Sequence, residues 1–340
     1  MLAAGCKLKQ AQKVKNFIIK NNLFNHNYLP VKELGFIYFP MIKKVQVPGA
    51  KVSLVKFKFP EKTKILTVIE LLKNKLTKNQ LKLVPRTQEI VGTIMLLEMP
   101  EELQKQEKLI AQAYLKLNKN ITTIVKKEEM HSGVCRLRKV KILAGKKTKE
   151  TIHLESGIRI KLDLEKTYFS ARLANERLRI AKLIKTPEEV LVMFSGAAPY
   201  PLVLAKNSCV KSILGIEINL LAHRFAMENV RLNKLENKIK IKQGDVRNVL
   251  PRIRKKFDRI LMPLPKTGEE FLDLALKKAK PGAIIHLYAF LDEKEVKEFP
   301  KKIKMICQEN KNSVRIIRKV KCGQFSPAIA RYCFDLKVSK

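Results

Sequence analysis

The densest run of chemistry-bearing side chains is Thr167-Tyr168-Phe169-Ser170-Ala171-Arg172-Leu173-Ala174-Asn175-Glu176-Arg177. A helix starting near Ser170 would set Arg172 and Glu176 four residues apart on one face, so a guanidinium and a carboxylate would address the same object. Such a pair suits acid–base work on a bound group. It is equally the make-up of a surface ion pair, worth only ~0.3–0.5 kcal/mol. The residues downstream of it favour the catalytic reading.

A second constellation opens at Phe194-Ser195-Gly196-Ala197-Ala198-Pro199-Tyr200, and Glu217 lies 21 residues beyond Gly196. In doubly wound folds an acidic residue about 20 positions after the glycine turn accepts hydrogen bonds from ribose hydroxyls. Gly244-Asp245 would place another carboxylate at the same sheet edge. One glycine stands where a dinucleotide loop wants three, so a tight pyrophosphate cradle is not built. S-adenosylmethionine needs no such cradle and fits the turn better than a nicotinamide dinucleotide; a purely structural turn is the remaining alternative.

The elements needed to position these residues are legible. Apolar strands are expected at 190–194, 212–216, 239–242, 257–261 and 283–290, with helices between them, including one over 223–232 and one over 269–279. Terminal strands are expected near 314–321 and 328–338. Alternation of this kind makes a largely parallel sheet with its site at the carboxyl edge, a Rossmann-like α/β domain over residues 161–340. Ahead of it, a helix near 7–22 and strands over 31–41 and 51–59, punctuated by Pro30, Pro40, Pro48 and Pro60, predict a small α/β module over 1–65. Residues 66–160 read as a second small mixed α/β domain. It would begin with a lysine-rich amphipathic helix over 65–83 and continue with a strand at 89–99, a helix at 101–118, and strands at 121–125, 133–144 and 151–164.

Composition narrows the partner. Lys and Arg total 70 against 31 Asp and Glu, a formal net charge of +39, which in a chain that is 46% hydrophobic calls for an anionic partner. No apolar run reaches the ~20 residues that span a bilayer, which leaves nucleic acid and sets the membrane aside. Cys6, Cys135, Cys209, Cys307, Cys322 and Cys333 form no CxxC pair, and His26, His131, His153, His223 and His286 are scattered. No metal site is therefore expected, and the thiols read as reduced and cytoplasmic. Nothing signals an oligomer, so a monomer is expected.

Taken together and in order, several segments resemble the archaeal and eukaryotic tRNA (guanine37-N1)-methyltransferase family. They are the Arg136 strand, Ala144-Gly145, the Tyr168–Arg177 string, Phe194 to Tyr200, Glu217-Ile218-Asn219, Asn229 to Asn233, Gly244-Asp245 and Pro263-Leu264-Pro265-Lys266. The resemblance covers essentially the whole chain, since the N-terminal module looks like that family's tRNA-elbow-binding domain. It implies Glu176 as general base and Arg136 as the cation that steadies charge on the target base, with Arg172 and Pro263 beside them. Contacts to S-adenosylmethionine are implied for Tyr168, Arg177, Phe194, Gly196, Glu217, Ile218, Asp245, Val246 and Pro265. The implied partner is tRNA, bound at anticodon loop and elbow. Guanine N1 is a poor nucleophile until its proton leaves, and a loop base can be splayed out without melting a helix.

Three positions depart from the family's pattern. Val192 stands where an aspartate is usual, Ala198 replaces the second turn glycine, and Pro263 replaces an asparagine. The first two bear on cofactor affinity. The third resembles the bifunctional archaeal branch that also methylates C7 of 4-demethylwyosine in tRNA-Phe to give isowyosine. Proline offers neither a side-chain partner nor a backbone N–H, which would leave room for a larger ring system. Two other readings stay open: a wyosine-pathway aminocarboxypropyl transferase using the same cofactor, and a non-catalytic tRNA-binding protein with a decayed cofactor site.

Overall fold

Period-two alternation between prolines predicts strands at the amino end. The structure, a computed structural model that describes residues 1–62, 66–128 and 137–339, places three strands within the expected ranges and adds one, ahead of the first helix, that was not expected. Within the unit Met1–Thr67 these are β1 (Leu2–Lys7), β2 (Val31–Glu33), β3 (Phe36–Pro40) and β4 (Lys51–Leu54), with helix α1 (Ala11–Lys20) after the first. They form an antiparallel sheet in the order β2-β3-β1-β4. Val14 and Ile18, one helical turn apart on α1, join Phe39 and Met41 in its core.

The second unit is Val68–Lys340. It begins with two short helices, α2 (Val68–Leu72) and α3 (Lys78–Leu83), where one long helix over 65–83 was expected. The break has a local cause: Thr77 and Gln80 form a reciprocal capping box, a Thr-x-x-Gln helix start that competes with continuing the first helix. Strands β5 (Gln88–Val91), β6 (Ile94–Leu97), β7 (Thr123–Lys127) and β8 (Val140–Gly145) make a four-stranded sheet, with helix α4 (Glu107–Leu117) between β6 and β7. Of the strand expected over 133–144, residues 133–136 lie outside the described residues.

The expected strand 151–164 is a hairpin, β9 (Glu150–Glu155) and β10 (Ile158–Asp163), reversing at Ser156-Gly157, both with positive φ. Alternate residues Ile158, Ile160, Leu162 and Leu164 enter one hydrophobic cluster shared with Val91, Ile94, Val125, Val192 and Leu261. Core packing is thus continuous from the small sheet, through β10, to the large one.

The large sheet follows from the repeating strand–helix pattern. Its elements are α5 (Ala174–Leu183), β11 (Glu189–Val192), α6 (Pro199–Asn207), β12 (Ser212–Glu217), α7 (Leu220–Leu232), β13 (Ile239–Gln243), α8 (Val246–Val249), β14 (Phe257–Met262), α9 (Leu272–Lys278), β15 (Ala279–Leu291), α10 (Glu295–Glu309), β16 (Val314–Gln324) and β17 (Ala330–Val338). The strand order is β13-β12-β11-β14-β15-β17-β16, parallel through β15, with β17 antiparallel to both neighbours. The order reverses at β11, and the carboxyl ends beside that switch point are where an α/β sheet opens a crevice. Among the described residues no helix is long and apolar enough to cross a membrane, and the described cysteines are free thiols.

Candidate active site

The loop leaving β11 makes the crevice. Phe194, Gly196 and Ala198 have φ of 59°, 56° and 68°, three left-handed residues in five, and α6 then starts with Pro199 at its first position. At Ala198 this conformation carries the Cβ penalty that the usual glycine avoids. Ser195 N–H donates to the Ile216 carbonyl at 2.8 Å, which ties the loop to β12. The result is a cavity of about 430 Å³ whose walls include Tyr168, Phe194, Gly196, Glu217, Ile218 and Asp245.

Glu217 ends β12 and reaches back to the loop. Its Oε2 accepts from Gly196 N at 2.6 Å and its Oε1 from Asn219 N at 2.8 Å. Burial pushes this carboxyl above its ordinary value, against the opposing pull of those backbone N–H groups. Each oxygen keeps a further lone pair, so the pair can take two vicinal hydroxyls, as a ribose presents. Asp245 caps α8 by accepting from Arg247 N at 2.8 Å. Phe194 packs edge-on against Phe271 at 5.0 Å, and these rings with Ile218 and Val246 give the cavity flat apolar walls. A ribose acceptor, apolar walls and no phosphate cradle fit an adenosyl sulfonium ligand better than a dinucleotide.

In the 167–177 stretch the expected Arg172–Glu176 pairing is replaced. Residues Ala171–Leu173 form a 3-10 turn and α5 begins only at Ala174, so the two side chains do not share an α-helical face. Lys127, and more weakly Arg172, hold the Glu98 carboxyl below its ordinary value. Glu176, 4% exposed, is gripped by Arg179 through two bonds of 2.7 and 2.8 Å and accepts from Tyr288 Oη at 2.7 Å.

That grip is the end of a buried chain of charges. Arg179 also donates to Asp335 at 3.0 Å, and Asp335 Oδ1 lies 2.6 Å from His286 Nδ1. His286 Nε2 faces Arg259 Nη1 at 2.7 Å, and Arg259 pairs bidentately with Glu188 at 2.6 and 2.9 Å. Arginine can only donate, so His286 accepts at Nε2 and carries its proton at Nδ1, toward Asp335. Burial lowers the pKa of His286 and keeps it neutral. Burial alone would raise Asp335, but His286 and Arg179 outweigh it and hold the carboxyl well below the usual range. Cys333 also reaches Asp335, and its Sγ lies within 4.8 Å of both the His286 and Asp335 ligand atoms. Two guanidinium groups already supply the positive charge that a cation would bring to this cluster.

Arg177, 1% exposed, forms a bidentate pair with Glu155 of β9 and donates to the Ser170 carbonyl at 3.1 Å. Its guanidinium lies over the rings of Phe169 and Tyr200. It therefore pins α5 to the β9–β10 hairpin while lining the cavity. Tyr168 Oη accepts from Arg331 at 3.0 Å.

Of the residues singled out from the sequence, Tyr168, Arg177, Phe194, Gly196, Glu217, Ile218, Asp245, Val246 and Pro263 all line the cavity. Pro265 does not; it is buried behind the wall, where its carbonyl accepts from Phe290 N at 2.7 Å. Glu176 and Arg172 are also outside the lining set, and Arg136 lies outside the described residues. Sequence reasoning missed Phe271, and it singled out Asn229 to Asn233 as a family-like segment without giving Asn229 a role. Asn229, fully buried on α7, donates to the carbonyls of Lys161 and Ala197 and accepts from Lys161 N, while Asn233 one turn on does the same for Arg159. The signal was the i, i+4 spacing of two asparagines, which sets both on one helix face against β10.

A Rossmann-like sheet whose carboxyl edge holds a cavity-lining carboxylate without a phosphate loop fits the class of adenosylmethionine-type transferases. Residues 151–317 match the TRM5/TYW2 methyltransferase domain and residues 68–148 the TYW2 N-terminal domain. The chain belongs to the TRM5/TYW2 methyltransferase family.

Similar over full length is the tRNA (guanine(37)-N(1))-methyltransferase Trm5b of Pyrococcus abyssi, 31% identical over 342 residues covering 99% of each chain. The crystal structure of Trm5b from that organism superimposes with a TM-score of 0.78 at 30% identity, covering all of both chains. The tRNA(Phe) (4-demethylwyosine(37)-C(7)) aminocarboxypropyltransferase of Pyrococcus horikoshii is 32% identical over 80% of this chain and 96% of its own. The tRNA (guanine(37)-N(1))/4-demethylwyosine(37)-methyltransferase Taw22 of Nanoarchaeum equitans is 31% identical over 63% of this chain and 87% of its own. Pyrococcus horikoshii TYW2 in complex with MeSAdo, 30% identical, superimposes with a TM-score of 0.70 over 80% of this chain and 98% of that one.

Proposed function

We propose that the chain methylates position 37 of tRNA from S-adenosylmethionine, at N1 of guanosine and, in tRNA-Phe, at C7 of 4-demethylwyosine. The observation that carries this reading is the Glu217–Gly196 crevice, with Tyr168 and Pro263 on its walls, in a chain similar from end to end to a guanine37-N1 methyltransferase. The cofactor, when bound, supplies an electrophilic methyl on a sulfonium that leaves as a neutral thioether. Glu217 would hold its ribose hydroxyls, Ile218, Val246 and Phe194 would supply apolar walls for its adenine, and Asp245, Gly196, Pro265 and Arg177 would complete or brace the cradle.

Glu176 takes the N1 proton. Its Oε1 already receives Arg179 and Tyr288, whereas among the described residues Oε2 receives only Arg179 Nε, which leaves an acceptor site for an incoming N–H. Arg136 and Arg172 steady the negative charge that moves onto O6. Pro263 leaves the room that a tricyclic base needs. In this reading residues 1–65 engage the tRNA elbow, 66–160 adapt it to the anticodon loop and 161–340 carry the reaction, in a cytoplasmic monomer.

The test is nucleoside mass analysis of tRNA-Phe, unmodified at G37 in one tube and carrying 4-demethylwyosine in another, each incubated with S-adenosylmethionine and enzyme. One added methyl in both tubes is expected, with Glu176→Gln lowering the N1 product at least about 100-fold, as removal of a general base does. A methyl on one substrate alone makes the enzyme monofunctional, and no product on either rejects the reading. The similarity to an aminocarboxypropyltransferase supports a second reading, which the mass of an aminocarboxypropyl group on the base would establish instead.

A further inference from the structure

Beside the cavity, outside its lining, the β16–β17 hairpin carries Phe325 at its tip with half of its surface exposed. An exposed aromatic ring on a loop is ordinarily mobile, but this loop is built to hold it. Phe325 N and Ser326 N both donate to the Ile329 carbonyl, at 2.9 and 3.0 Å. The Gln324 side-chain amide donates to the Ser326 carbonyl at 2.7 Å and reaches those of Pro327 and Ile329. Such bracing lowers the entropy lost when a ligand stacks on the ring.

The Phe325 ring stacks on Phe290, centroids 4.2 Å apart and planes tilted by 33°, and the Arg331 guanidinium lies 5.0 Å over Phe290. This stack is anchored to the cavity at two points. Arg331 donates to Tyr168 Oη, and Phe290 N donates to the Pro265 carbonyl between the wall residues Leu264 and Lys266. Arg331 is 9% exposed, and its Nε has no hydrogen-bond partner among the described residues. A buried guanidinium N–H without an acceptor is rare in folded proteins, and here the guanidinium is held by its bond to Tyr168 and its place over Phe290.

An arginine–phenylalanine–phenylalanine stack with an accessible outer ring, in a chain of net charge +39, matches an unpaired nucleobase, whose π face can cover that ring. We infer that Phe325, Phe290 and Arg331 form a stacking platform for the base that is to be methylated, holding it out of the RNA loop at the mouth of the cofactor cavity. The inference rests on the proposed reaction at tRNA position 37 and adds the subsite that receives the extruded base.

The experiment uses the full chain, S-adenosylhomocysteine and tRNA-Phe transcripts with 2-aminopurine at position 37, or at 36 or 38. On wild type, probe fluorescence at 37 is expected to be quenched by the ring. Phe325→Ala and Phe325→Leu should lose that quenching and bind about 5- to 150-fold more weakly, the range that stacking one base spans. Phe325→Tyr should keep both. Unchanged S-adenosylhomocysteine binding in each variant shows that the fold and cofactor site are intact. Retention of quenching and affinity by Phe325→Leu overturns the platform, as does a Phe325-dependent quench at 36 or 38 in place of 37. Product mass with wild-type enzyme tests the reaction independently, so a failed platform and a failed tRNA reading give different results.

Discussion

At the scale of single residues, Glu217 ties the cavity wall together from the end of β12. It receives two backbone N–H bonds that shape the loop after β11, and it offers its remaining lone pairs to a ligand. Glu217→Gln keeps the size but turns one acceptor into a donor, facing both Gly196 N and a ribose hydroxyl. Hydrogen bonds to charged groups contribute ~1.5–3 kcal/mol, so S-adenosylhomocysteine affinity should fall about 10- to 100-fold by isothermal titration; an unchanged affinity would remove Glu217 from the ribose site. Val192 shows how a departure from a family pattern is absorbed. It is fully buried in the core cluster under the loop, where an apolar side chain is compatible with its surroundings.

At the scale of elements, Arg177 and Glu155 decide how α5 meets the β9–β10 hairpin. Both are buried, and the pair satisfies itself. Burial alone would raise the Glu155 carboxyl; the bonds from Arg177 and His153 outweigh it and hold it below its ordinary value. Removing one partner strands a buried charge, so Glu155→Gln should cost ~3–5 kcal/mol in urea unfolding. A loss below about 1 kcal/mol would show that water or another carboxylate relieves Arg177. The same element logic places Asn229 and Asn233, whose side chains hold the backbone of β10 as a neighbouring strand would.

At the scale of the whole molecule, the chain from Glu176 through Arg179, Asp335, His286 and Arg259 to Glu188 joins α5, β17, β15, β14 and the segment before β11. It makes stability pH-dependent with a definite sign. His286 is held neutral, with its folded pKa below the unfolded value of about 6.5. Below that pH the unfolded chain binds a proton that the native chain refuses. The contribution of His286 is therefore complete above pH ~6.5 and is lost as the pH falls toward the folded pKa, by up to about 1.4 kcal/mol per pH unit. Unfolding free energies at pH 7.5 and 5.5 should show this drop in wild type and a shallower one in His286→Gln. Equal slopes would show that other groups set the pH dependence.

The sequence alone determined the order of elements in the large sheet, because strand and helix periods alternate cleanly there, and most of the cavity wall. Residues such as Gly196, Glu217 and Asp245 sit at strand ends, and strand ends of a parallel sheet converge on one edge whatever the side chains elsewhere. It did not reveal the helix break at Thr77, although the capping box was present, because the amphipathic pattern of 65–83 masked it. Only the tertiary structure decided the partners of Glu176. A 3-10 turn of three residues moved Arg172 off its face, and Arg179 closed around it together with Tyr288, 112 positions away in the chain. Local spacing specifies which residues share a face; long-range packing decides which charge each one meets.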